Sequence, residues 1–93
     1  MRKEMKFNNR DRFIQLGITI SMYRRMQGMS QEELADKAGL SRSHLSAIEA
    51  PNIIRPFSLD AFFCIADALG IAPEALIAAS SYLLEEKKEL ATR

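Results

Sequence analysis

Ninety-three residues, 47% apolar and 27% charged, describe one small globular domain rather than a disordered chain. A single cysteine, Cys64, excludes an intrachain disulfide, and with one histidine nothing resembles a zinc ligand set. The net charge of +1 says little about partners, but its distribution is uneven: +5 over residues 1–25, then −2 over 26–50 and −2 over 51–93.

Residues 1–12 read as a basic arm, either a solvated tail or a segment that steers toward a polyanion. The arm has no apolar signal-peptide core, and no later stretch is apolar for long enough to span a bilayer. A cytoplasmic protein with no membrane partner is the expectation.

The first helix is expected from about Asn9 to Gln27, closing on Gly28. Phe13, Leu16, Gly17, Ile20, Arg24 and Gln27 share one face, a core stripe with one charge in it. Ile14, Ile18 and Met22 form a second apolar stripe opposite, and a helix apolar on two sides is usually covered on both. The second helix opens on Ser30 with Glu33 three residues later, an S-x-x-E capping box. Leu34, Ala35 and Ala38 form its inner face, and Gly39 ends it. Ser41 caps the third helix, in which Leu45 and Ile48 point inward. A polar loop with Pro51 and Pro56 follows. Ser58 caps a fourth helix whose Leu59, Phe62, Phe63, Ile65, Ala66 and Leu69 are expected to be largely core. Pro73 sits in the first turn of a fifth helix carrying Leu76 and Ile77 and continuing toward Leu83, Leu84 and Leu90. No strand is expected, and the fold class is all-α, a compact five-helix bundle.

The stretch "MSQEELADKAGLSRSHLSAIE" places two helices of barely two turns each around Gly39-Leu40-Ser41. Neither would hold alone in water, where helices shorter than about a dozen residues are marginal. Two short helices joined by a turn of about three or four residues containing glycine match the helix-turn-helix, whose second helix lies in the DNA major groove. With Leu45 and Ile48 inward, the opposite face of the third helix falls on Ser43, Ser46, Ala47 and Ala50, flanked by Arg42 and His44. These side chains are small or hydrogen-bonding, and none is acidic, as entry between phosphates requires. The acid of that helix, Glu49, falls on the core side, as Arg24 does on the first helix. A buried charge without a partner is costly, so the two are expected to pair.

These residues resemble the XRE family of helix-turn-helix repressors, whose fold is that of the phage lambda repressor DNA-binding domain. The resemblance runs from about Phe13 to Ile77 and rests on "LGITISMYR" leading to "GMSQEELADKAGLSRSHLSAIE", and on "SLDAFFCIADALGIAPEAL". It implies an ion pair between Arg24 and Glu49 and a phosphate contact by Gln31 at the start of the second helix. It also implies base reading by Arg42, Ser43, His44 and Ala47, with Ser46 as a phosphate contact. The chain departs from the family pattern after Glu49. "APNIIRPFS" has a proline where glycine is common and one extra residue before the next helix, so the loop's phosphate contacts would fall to Asn52 and Arg55.

The domain organisation read from the sequence is a basic arm (1–12), a helix-turn-helix domain (13–79) and a C-terminal helical extension (80–93). Tyr82, Leu83 and Leu84 in the extension and the Ile14, Ile18, Met22 stripe are expected to cover one another, within a chain or across a two-fold dimer. Glu85, Glu86 and Glu89, interleaved with Lys87 and Lys88, read as a solvated helix end rather than catalytic carboxylates. His44 has no metal-ligating partner, and Cys64 reads as a small core residue. No phosphate loop, nucleophile elbow or triad is present, so no enzyme activity, cofactor, metal or small-molecule substrate is expected. The functional expectation is a sequence-specific regulator of transcription, a dimeric repressor bound to double-stranded DNA. The alternative is a protein-interaction module on the same fold, such as an antitoxin or a partner of another regulator.

Overall fold

A computed structural model describes residues 7–53 and 55–91. Residues 1–6 of the basic arm, Ile54 in the loop and residues 92–93 of the extension lie outside the described residues. The elements are α1 (Phe7–Met26), α2 (Gln31–Ala38), α3 (Arg42–Glu49), α4 (Leu59–Leu69) and α5 (Pro73–Ala91). The fold is all-α. Among the described residues no single helix is long and apolar enough to cross a membrane. α1 starts at Phe7, so part of the basic arm is helical. α5 runs unbroken to Ala91, making the extension one rod with the fifth helix.

The helix boundaries follow local chemistry. At Ser30 the hydroxyl accepts from the Glu33 main-chain N–H at 3.0 Å, and the Glu33 carboxylate accepts from the Ser30 N–H at 2.9 Å. Ser41 and Ser58 cap α3 and α4 in the same sense, each hydroxyl accepting a main-chain N–H at 3.1 Å. The hydrogen bonds from Ser30, main chain first and then side chain, hold the Glu33 carboxyl below its ordinary value of 4.5. Because the folded value is the lower one, the stabilisation is complete above the unfolded value and is lost as pH falls through the folded one. Glu33→Gln should therefore be less stable than the parent at neutral pH, with the difference shrinking in acid. Melting curves across that range check this, and a pH-independent difference would count against it.

Ile20, Leu34, Leu45, Ile65 and Leu76 are fully enclosed, so each of the five helices contributes one side chain to a common centre. α1 and α5 make the most extensive interhelical contact. Phe57, in the loop before α4, meets Phe13 of α1 edge to face with ring centroids 5.2 Å apart, which anchors that loop. The Gln27 side-chain amide donates to the Leu69 carbonyl at 2.8 Å and ties the end of α1 to the end of α4. Gln27 thus serves the fold as a polar clasp just beyond α1, and its residue as a whole is exposed rather than core.

Expectations about the core are corrected on α4 and at Cys64. On α4, Phe62, Ile65, Ala66 and Leu69 are buried, but Leu59 is 67% exposed and Phe63 46%. On α5, Leu76 is enclosed while Ile77 is 46% exposed. Apolar residues lie on both sides of α4, and helical periodicity cannot say which side finds a neighbour. Cys64 is half-buried against the core rather than enclosed.

Gly17 has a use that composition does not reveal. A Cβ there would collide with the main-chain carbonyl oxygen of Ile48, so α1 and α3 cross at a distance only glycine permits. This crossing sets how α3 is held on the body of the domain.

Candidate nucleic-acid interface

The unit formed by α2 and α3 is turned by Gly39, whose φ of 71° lies in the left-handed region where glycine is favoured. Its neighbour closes the motif: the Leu40 N–H donates to the Ala35 carbonyl at 2.9 Å. Leu45 and Ile48 hold α3 on the core from one side.

Beside them lies a polar node. Arg24 is 7% exposed and Glu49 6%. The Arg24 guanidinium grips the carboxylate with both ends, Nε to Oε2 at 2.9 Å and Nη2 to Oε1 at 3.0 Å. Its remaining arm, Nη1, donates to the Met29 carbonyl at 2.7 Å. The Gln31 side-chain amide donates to Glu49 Oε1 at 3.0 Å. One arginine therefore binds α1 to the end of α3 and to the α1–α2 connection, with bidentate geometry that lysine could not supply. The consequence for α3 is electrostatic: its only carboxylate is turned inward and neutralised.

On the outward face Arg42, Ser43 and Ser46 are exposed, while His44 and Ala47 are half-buried. Arg42 and Ser46 are one turn apart, as are Ser43 and Ala47, so these side chains share a continuous face without an acid. Asn52 and Arg55 are exposed in the loop beyond α3. The sequence indicated both the pairing of Arg24 with Glu49 and the composition of this face. It did not indicate that Gln31 joins the pair. With one amide N–H committed to Glu49, Gln31 keeps its second for another acceptor, alongside the unsatisfied main-chain N–H groups of the first turn of α2. No local signal in the sequence marks this contact, because its two residues are 18 positions apart.

Two short helices around a left-handed glycine, with the second helix offering an acid-free polar face, define a helix-turn-helix DNA-binding domain. The helix-turn-helix family description matches residues 20–76, and the chain belongs to this family, in its XRE-type branch. It is 36% identical over 74 residues to the immunity repressor protein of Bacillus phage phi105, a match covering 80% of this chain and 50% of the repressor. The chain thus spans about half the length of the curated relative it matches. Among solved structures, the restriction-modification controller protein C.AhdI from Aeromonas hydrophila is 34% identical with a TM-score of 0.64, over 69% of this chain and 94% of that one. The clp gene regulator ClgR from Corynebacterium glutamicum is 25% identical with a TM-score of 0.69, over 88% of this chain and 87% of that one.

Proposed function

We propose that this protein is a sequence-specific regulator of transcription, a repressor that acts as a dimer on double-stranded DNA inside the cell. α3 enters the major groove. Arg42, Ser43, His44 and Ala47 meet base edges, and Ser46, Gln31, Asn52 and Arg55 meet phosphates. The observation that carries the reading is the inward capture of Glu49 by Arg24 and Gln31, which leaves α3 a polar outer face with one cation and no repelling charge. The first turn of α2 carries Glu32 and Glu33, so a phosphate there would be met by the Gln31 amide and main-chain N–H groups rather than by net charge. Similarity to a phage immunity repressor and to a restriction-modification controller supports a regulator rather than an enzyme.

Selection of bound sequences from a random duplex library, at two salt concentrations, tests this. An enriched near-palindrome with half-sites about 34–36 Å apart is expected of a dimer of this motif. Binding without enrichment, lost steeply with salt, would leave only phosphate contacts. Arg42→Ala should cost about 1–3 kcal/mol on the selected site while random DNA is bound nearly as before. Equal losses on both would make Arg42 a phosphate contact instead.

One observation favours the second reading, a protein-interaction module: Leu59 and Phe63, one turn apart on α4, are exposed apolar side chains. A two-fold partner would cover them equally well. Sedimentation of the parent and of Phe63→Ser separates these. Dissociation of a dimer by the substitution fits the regulator, and a monomer in both cases fits the module.

A further inference from the structure

Between the first half of α1 and the middle of α5 runs a groove of about 370 Å³, within the range of roughly 300–1,000 Å³ in which small-molecule sites fall. Its apolar walls are Phe13 and Leu16 on one helix and Ile77 and Leu84 on the other. Ser80 lies between these walls, and its polar atom is not accounted for by the fold. The residue is 5% exposed, yet its hydroxyl makes no hydrogen bond among the described residues. Buried Thr19, by contrast, satisfies itself on the Gln15 carbonyl one turn back at 2.8 Å. Every fully enclosed polar side-chain atom among the described residues has a partner, so the Ser80 hydroxyl opens to the groove.

The rim is charged. Arg12 bonds only the Asn9 amide oxygen, at 3.2 Å, and has no acidic partner among the described residues. Lys88 stands on the opposite helix, with Glu85 approaching it at 3.9 Å. Two cations and one carboxylate leave the rim a single positive charge, which suits a monoanion better than a dianion.

We infer that this groove is a binding site for an amphipathic monocarboxylate, its chain lying on Phe13, Leu16 and Leu84, its carboxylate meeting Arg12 and Lys88, and the Ser80 hydroxyl donating to it. α1, which forms one wall, also carries Gly17 and Arg24, the two residues that hold α3. Occupancy of the groove itself requires no DNA, so its test is independent of the proposed function.

Titration of the full chain with octanoate, followed by calorimetry and by amide chemical shifts, gives the answer. Saturable one-to-one binding is expected, with shifts concentrated on α1 and α5. Octylammonium, of the same length and opposite charge, is expected not to bind. Arg12→Gln, at an exposed position, should weaken octanoate about tenfold. Ile77→Trp, at a half-exposed position on the groove wall, should fill the space and abolish binding with the melting temperature retained. Non-saturable uptake, equal binding of octylammonium, or unchanged affinity in Ile77→Trp would each overturn the inference.

Discussion

Arg24→Ala is expected to lower stability by about 3–5 kcal/mol, because it leaves the carboxylate of Glu49 buried with only Gln31 as a partner. It also bares the Met29 carbonyl that Arg24 Nη1 satisfied. A domain of this size is stable by about 5–15 kcal/mol in total, so the substitution removes a large share of the margin. The melting temperature should fall by on the order of 20 °C. The cost comes from stranding a charge, not from the intrinsic worth of the ion pair. Arg24→Met combined with Glu49→Leu should therefore be less damaging than Arg24→Ala alone. Thermal and denaturant unfolding of the single and double variants measure both effects. An unchanged melting temperature in Arg24→Ala would mean that Glu49 reaches water.

Gly17→Ala carries the second large effect, and its sign is opposite to what helix propensity suggests. In the interior of an exposed helix, alanine is better than glycine by about 1 kcal/mol. At Gly17 the added methyl meets the Ile48 main-chain carbonyl, which cannot rotate aside as a side chain would. The crossing of α1 and α3 must open, with an expected loss of about 3 kcal/mol. Since Ile48 and Glu49 are adjacent, the shift also strains the carboxylate held by Arg24. DNA affinity should fall even below the melting transition, because α3 no longer sits where the body of the domain would hold it. Denaturant curves and duplex binding at low temperature report the two losses separately. A more stable Gly17→Ala protein would show that the helices are farther apart than described.

Much of the architecture was legible because this chain marks its helix ends chemically. Ser30 with Glu33, Ser41 and Ser58 start three helices, and each is a hydroxyl whose hydrogen bond is local in sequence. The Arg24–Glu49 pair was legible for a different reason. Both charges fell on faces otherwise apolar, and a buried charge needs an opposite one. What stayed hidden depends on distances between segments remote in the chain. Nothing near Gly17 indicates that Ile48 will pass against it, and nothing near Gln31 indicates Glu49. The exposure of Leu59 and Phe63 was missed because an apolar side chain signals the wish to be covered, not the presence of a cover. Groups capped locally can be read one segment at a time; groups satisfied across the bundle require the bundle.

The division of labour within α3 has a consequence for descent and for design. Leu45, Ile48 and Glu49 carry the packing and the ion pair, whereas Arg42, Ser43 and Ser46 are exposed. Replacing exposed residues of this kind changes stability by only about half a kcal/mol either way. The outer positions are thus free to drift or be randomised while the inner ones stay fixed. On the proposed reading of bases by α3, a lineage built on this scaffold would acquire new target sites by single substitutions, each intermediate still folded.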